Sequence, residues 1–161
     1  IQKLITVDDE EIVSDSLWAL KSIAQNGDET VIEEITRMDC TKLFIGLANC
    51  QVVTVKFPAI GLLGLLLSGS EDQILVFIAI PYTELTLQLV DAEFDDLLPT
   101  LVSNLEHPKK ALRRETYWAL SNIFAGNPEA IDKLLKYPNL IETLIRKLSS
   151  EPNEVSYCGV K

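Results

Sequence analysis

Ser16-Leu-Trp-Ala-Leu-Lys-Ser-Ile-Ala-Gln-Asn-Gly27 returns later in the chain as Thr116-Tyr-Trp-Ala-Leu-Ser-Asn-Ile-Phe-Ala-Gly126. Between these two segments, Pro58-Ala-Ile-Gly-Leu-Leu-Gly-Leu-Leu-Leu-Ser-Gly69 reads as a third, degraded copy. Three similar helical segments separated by further helical stretches indicate a stack of helical repeats, because each repeat buries its apolar face against its neighbours. The sequence therefore predicts a solenoid rather than a compact enzyme fold.

The spacing of the copies narrows the repeat type. Aligned on their terminal glycines, Gly27, Gly69 and Gly126, the copies lie 42 and 57 residues apart. The first interval matches the period of about 40 to 47 residues that armadillo and HEAT repeats have. Each glycine is expected just past a helix C-terminus in the left-handed conformation, which glycine adopts without steric cost.

Hydrophobic periodicity and capping residues predict the helices. The first helix is expected over residues 9–26, with Asp8 as its cap and Glu11 in a variant of the capping box. Pro58 is expected to kink its helix or to mark the first turn. The predicted apolar stripe of the first helix consists of Ile12, Val13, Leu17, Leu20 and Ile23. The other predicted helices cover residues 29–38, 41–50, 54–68, 85–92, 95–106 and 109–125, and a further one that starts at Pro128.

An irregular segment interrupts the repeats between about residues 70 and 84. Its centre, Ile74-Leu-Val-Phe-Ile-Ala-Ile-Pro-Tyr82, is rich in β-branched and aromatic residues. This composition is typical of a strand or a buried loop and predicts an insertion. The chain itself, which ends where a further long helix would open near Val155, is interpreted as a piece of a longer protein.

Composition excludes several functional classes. The chain has 161 residues, a net charge of -10 and a sequence pI of about 4.5, so nucleic acid is not an expected partner and a basic protein or peptide is. No apolar run reaches the roughly 20 residues that a membrane helix needs. Three cysteines without metal-type spacing are expected to be reduced thiols.

Catalysis is not expected. His107 is the only histidine and precedes Pro108 in a predicted turn. The chain contains no phosphate-binding loop, serine-centred elbow or metal-ligand spacing. We therefore expect no enzyme activity, no metal and no cofactor.

The residues resemble a known family, the armadillo repeats of importin alpha. The resemblance rests on Trp18-Ala-Leu, Trp118-Ala-Leu-Ser-Asn122, the terminal glycines, the lead-in Asp8-Asp-Glu-Glu-Ile12 and the mid-helix Pro58. It implies an all-α, right-handed α-solenoid of armadillo repeats, from the C-terminal half of the family's array. The implied organisation is the end of one repeat (1–27), a repeat (28–69), the insertion (70–84), a repeat (85–126) and a truncated repeat (127–161).

The resemblance also implies a concave groove that holds extended basic peptides. An indole face accommodates the stem of Lys or Arg and attracts its charge, and an asparagine one helical turn later both donates to and accepts from a peptide backbone. Without the resemblance, a core position is the favoured interpretation of both tryptophans, because Trp is highly buried on average. The implied peptide-binding residues are Trp118, Asn122, Glu115, Ser121, Trp18, Asp15, Ser22 and Glu71.

The chain departs from the family pattern at several positions. Ser22 replaces the asparagine that would follow Trp18, and Gly61 and Leu65 occupy the tryptophan and asparagine positions of the second copy. One complete pair, Trp118 with Asn122, is therefore expected. Because the affinity of such a groove is the sum of weak contacts, we expect weak binding of a basic peptide.

The functional expectation is a nuclear-import adaptor in the cytoplasm and nucleus. By resemblance, its partners are Lys/Arg-rich segments of cargo proteins, with importin beta and an export receptor contacted by other parts of the parent protein. Two alternatives remain open. One is an armadillo scaffold for other protein–protein interactions, which Gly61 and Leu65 favour. The other is an armadillo-like domain of an enzyme whose catalytic part lies elsewhere.

Overall fold

The computed structural model describes residues 3–38, 40–67, 94–125 and 128–150. The chain divides into two compact units, Ile1–Leu66 and Leu67–Lys161. Throughout the described ranges the regular structure is helical. A short 3₁₀ turn, Leu4–Thr6, precedes the helices α1 (Glu10–Asn26), α2 (Glu29–Arg37), α3 (Thr41–Asn49) and α4 (Val53–Leu66) of the first unit. The second unit contains α5 (Phe94–Asn104), α6 (Lys110–Phe124), α7 (Pro128–Lys136) and α8 (Leu140–Ser150).

The helices predicted within the described ranges are confirmed, with ends that differ by no more than two residues. Among the predicted segments, the apolar insertion 74–82, the helix at 85–92 and the segment after Val155 lie outside the described residues. The repeat boundaries built on them remain predictions.

The cap of α1 differs from the prediction by one residue. Asp9, not Asp8, has the extended backbone of an N-cap, and its Oδ1 accepts hydrogen bonds from the amides of Glu11 (3.0 Å) and Ile12 (3.1 Å). Two adjacent aspartates offer the same cap chemistry to a helix start. The backbone of Asp9 makes it the cap, because its carbonyl accepts the first helical hydrogen bond, from Val13.

The apolar stripe of α1 is narrower than predicted. Val13, Leu17 and Leu20 are buried, whereas Ile12 and Ile23 are 42% and 44% exposed. In this unit α1 packs along α4, and α3 packs on α4 as well. The fully buried Phe44, Ile60 and Leu62 belong to this core.

The backbone conformation of Gly27, at the end of α1, also differs from the prediction. Its φ of -84° and ψ of 164° are extended, so the predicted left-handed C-cap of α1 is wrong. The space around Gly27 explains the glycine instead. A Cβ built there would lie 2.6 Å from Cβ and Cγ1 of Val31 and 2.8 Å from the carbonyl oxygen of Ile23. The other two terminal glycines, Gly69 and Gly126, lie outside the described residues.

Pro58 lies in the interior of α4 and is buried. Proline has no amide hydrogen, so it cannot donate to the carbonyl four residues earlier, that of Thr54. The hydroxyl of Ser14 on α1 donates to this carbonyl at 3.0 Å. A side chain of the neighbouring helix therefore satisfies the acceptor that Pro58 leaves.

In the second unit, α5 packs on α6, α6 on α7 and α7 on α8. The predicted turn at His107 is confirmed: its Nδ1 accepts a hydrogen bond from the amide of Lys109 at 3.0 Å, where α6 begins. Nearby, Glu106 accepts from Arg146 (2.7 Å) and from the buried Lys147 (3.0 Å) of α8. The core of this unit includes Leu97, Leu101, Leu105, Leu112, Leu120 and Leu134.

Candidate peptide-binding residues

Four predicted site residues lie on α6. Trp118 and Asn122 are one helical turn apart, so their side chains leave the same face of the helix. Both are half-buried, as are Glu115, one turn before Trp118, and Ser121. The opposite side of α6 carries its core contacts: Leu112, Thr116, Tyr117, Ala119, Leu120 and Ile123 are buried. The tryptophan and asparagine therefore stand at the border between core and solvent, as a groove residue must.

The hydroxyl of Ser121, another implied peptide-binding residue, already has a partner within α6. Its Oγ donates to the carbonyl oxygen of Trp118 at 2.7 Å, a local bond within the helix. The hydroxyl proton is thereby committed to the helix backbone. In this conformation Ser121 can offer a ligand only an acceptor oxygen.

The predicted residues of α1 are more exposed than those of α6. Trp18 is 45% exposed, and Asp15 and Ser22, one turn before and after it, are exposed. A large aromatic side chain that is nearly half accessible is not a core residue. In this structure Trp18 therefore lies at the surface of the first unit and not in its core.

An aromatic pair forms around Trp18. The ring of Phe57 on α4 lies with its centroid 5.6 Å from that of Trp18, tilted by 31°. The Nζ of Lys21 lies 5.2 Å from the Trp18 centroid and 5.1 Å from the Phe57 centroid. Both distances fall within the range of about 6 Å for a cation–π contact. The ammonium group of Lys21 thus makes a cation–π contact with both rings.

Sequence reasoning missed Phe57 and Lys21. The second copy was expected to offer no aromatic wall because Gly61 stands at its tryptophan position. Gly61 is buried, and the ring of Phe57, one turn earlier on α4, lies beside that of Trp18. The available signal was an aromatic residue one turn before the substituted position. Leu65, at the asparagine position, is half-buried, and Glu71 lies outside the described residues.

Other kinds of site have little support in the described ranges. There, no group of three or more His, Cys, Asp and Glu residues is arranged to hold a metal ion. Cys40 and Cys50 carry free thiols, the former buried. None of the described helices is both long enough and apolar enough to cross a membrane.

Comparison with solved structures identifies the fold. A designed armadillo repeat protein superposes with a TM-score of 0.74 at 21% sequence identity. The match covers 98% of this chain and 59% of the length of the designed protein. This chain has the armadillo-repeat fold. The predicted all-α armadillo solenoid is therefore confirmed. An engineered protein (23% identity, TM-score 0.74) and computationally designed armadillo repeat proteins for modular peptide recognition (21%, 0.74) match equally well and also cover 98% of the chain. They cover 58% and 59% of their own lengths.

Sequence comparison relates these armadillo repeats to importin alpha. Importin subunit alpha-1a of Oryza sativa subsp. japonica is 27% identical over 136 residues, which cover 84% of this chain. The predicted resemblance to importin alpha is thus confirmed as sequence similarity. The matched region spans only 23% of the length of the rice protein. No protein-family model matches the chain.

Proposed function

We propose that this armadillo chain is part of a non-enzymatic nuclear-import adaptor that holds Lys/Arg-rich segments of cargo proteins in extended form. The observation that carries the proposal is the sequence similarity to importin subunit alpha-1a along 84% of the chain. In this proposal the parent protein works in the cytoplasm and nucleus. Its contacts to importin beta and to an export receptor are made by other segments.

The side chains of α6 have the chemistry that the proposal needs. The face of Trp118 lies against the aliphatic stem of an incoming lysine or arginine, and a cation–π contact contributes about 0.5 to 2 kcal/mol. The carboxamide of Asn122 holds the peptide backbone, since it both donates and accepts. Backbone contacts of this kind fix an extended chain without reading its sequence.

One acidic residue lies one helical turn before each tryptophan. Glu115 on α6 and Asp15 on α1 each precede a tryptophan by one turn. Together with the net charge of -10, they attract a basic segment and accelerate its encounter. Salt screens such attraction, so binding is expected to weaken as ionic strength rises.

The test is a titration of a labelled peptide of alternating Lys and Arg residues, followed by fluorescence anisotropy at low and high salt. Trp118→Ala and Asn122→Ala are each expected to weaken binding by roughly fivefold, the equivalent of about 1 kcal/mol for one lost contact. Trp118→Phe keeps an aromatic face and should lose less.

Asn49→Ala provides the matched control, because Asn49 is an exposed asparagine on α3, outside the proposed site. It should bind as the wild type does. Salt-sensitive binding that is indifferent to both α6 substitutions would contradict the assignment of these residues.

A second candidate function is a scaffold for less basic ligands. The buried Gly61 and half-buried Leu65 favour it, because the second copy presents neither an indole nor a carboxamide at these positions. In that case the Lys/Arg peptide should bind no better than a peptide of the same length in which Gln replaces every basic residue.

A further inference from the structure

The aromatic rings of Trp18 and Phe57 already contact a cation of the same chain, the ammonium group of Lys21. Lys21 follows Trp18 by three residues on α1, and its Nζ lies within 5.2 Å of both ring centroids. A ligand lysine or arginine that contacts the same ring faces needs the position that this ammonium group occupies. Two cations cannot occupy this position together, because like charges in close contact repel each other.

The pair is held in place by the core of the first unit. Trp18 is on α1 and Phe57 on α4, and these two helices pack on each other. Leu17, next to Trp18 in the chain, and Ile60 on α4 are fully buried. The rings are therefore positioned before any ligand arrives. Trp18 nevertheless remains 45% exposed, so an external cation can reach its ring from solvent.

We propose that Lys21 is an internal competitor, a residue that fills the Trp18–Phe57 pair and lowers its affinity for an external lysine or arginine side chain. The proposal deepens the peptide-binding function proposed above and rests on it. Because Lys21 is attached to the same helix, its local concentration near the rings is high, in the millimolar range or above. An incoming cation gains only the difference between its own contact and that of Lys21.

Removal of the ammonium group should therefore strengthen binding. Lys21→Met keeps a long apolar side chain and a good helix former but has no charge. We expect it to bind the Lys/Arg peptide roughly 2- to 5-fold more tightly than the wild type, the range of one exposed cation–π contact. Lys21→Arg, which keeps a cation that can stack on the rings, should bind as the wild type does.

Lys42→Met is the matched control for net charge. Lys42 is an exposed lysine on α3, and its substitution makes the chain more acidic by the same amount. Phe57→Leu in the Lys21→Met chain should reverse the gain, because it removes one of the two rings. Circular dichroism checks that each variant keeps its helical content.

A measurement without peptide tests the internal contact itself. In the wild type, the ε-methylene protons of Lys21 should be shifted upfield by the ring currents of Trp18 and Phe57, and Trp18→Leu should reduce the shift. Proton signals at the position of a solvated lysine would overturn the proposal.

The titration outcomes separate this proposal from the function on which it rests. Binding by all variants, with Lys21→Met no tighter than Lys42→Met, overturns the competitor and leaves the adaptor function standing. Binding by Lys21→Met but not by the wild type supports the competitor and contradicts peptide binding by the native chain. If no variant binds, both proposals fail.

Discussion

Gly27 is a residue whose role comes from the space around it rather than from its backbone angles. Its extended φ and ψ are accessible to any amino acid. A methyl group there would collide with the β-branched Val31, which has little freedom to move, and with the backbone of Ile23. The glycine allows the chain to turn closely from α1 into α2.

Gly27→Ala should therefore destabilise the protein, by about 1 to 3 kcal/mol, as overpacking at a rigid contact does. Chemical denaturation followed by circular dichroism measures the loss. Gly46→Ala is the matched control, because a Cβ at Gly46, inside α3, meets no atom within 4 Å. That substitution should stabilise α3 by about 0.5 to 1 kcal/mol. Equal effects of the two substitutions would contradict the packing argument.

The residue-level errors of the sequence analysis have a common physical cause. Periodicity identifies which side of a helix is apolar, and it correctly placed Val13 and Leu17 in the core. Periodicity does not show how much of that side the neighbouring helices cover, so it could not exclude Ile12 and Ile23 from the core. The contact of Lys21 with Phe57 depends on the packing of α1 against α4, which a repeat pattern alone does not specify.

At the scale of the element, α4 shows how a helix tolerates an internal proline. Pro58 removes one backbone hydrogen bond, and the hydroxyl of Ser14 supplies a donor to the freed carbonyl of Thr54. The sequence predicted a perturbed helix at Pro58. It could not predict the compensation, because Ser14 and Thr54 are 40 residues apart and meet only after α1 and α4 have packed.

Ser14→Ala should cost about 1 to 2 kcal/mol of unfolding free energy, since the carbonyl of Thr54 loses a hydrogen-bond donor. The double variant with Pro58→Ala tests the mechanism, because alanine at 58 restores an amide hydrogen. In that background the loss caused by Ser14→Ala should be smaller, with a coupling of about 0.5 to 1 kcal/mol. Strictly additive effects in denaturant titrations would refute the compensation.

The turn after α5 is tied to α8 by charge. The hydrogen bond from Lys147, assisted by that from Arg146, holds the pKa of Glu106 below its ordinary value. A carboxylate whose folded-state pKa is lowered contributes stability above its unfolded-state pKa and loses it as pH falls through the folded-state pKa. Glu106→Gln should therefore lower stability at neutral pH.

The size of this effect should remain below about 1 kcal/mol, because Glu106 is half-exposed and solvent screens the pair. Thermal unfolding of both proteins across the acidic range provides the measurement. The difference between wild type and Glu106→Gln should vanish once Glu106 is protonated in the folded state. A difference that is constant with pH would point to packing instead of charge.

At the scale of the whole molecule, the repeated Trp-Ala-Leu motif and its period predicted a solenoid of helical repeats. The resemblance to importin alpha then selected the armadillo type among such solenoids. The fold alone does not determine what it binds. That depends on which side chains stand at the border of the core, and here Trp118 and Asn122 do so while Gly61 does not. In the proposed function, the acidic balance of the chain favours basic ligands.

The most direct test of the central claim follows the side chains themselves. Nuclear magnetic resonance spectra follow the indole N–H of Trp118 and the carboxamide of Asn122 while the Lys/Arg peptide is added. The signals are assigned through the variants Trp118→Phe and Asn122→Ala. We predict that the chemical shifts of both groups change together, and that their titration curves give the dissociation constant found by anisotropy. The chemical shift of the Asn49 carboxamide should not change. If the peptide binds and the signals of Trp118 and Asn122 remain unmoved, the account of this site is contradicted.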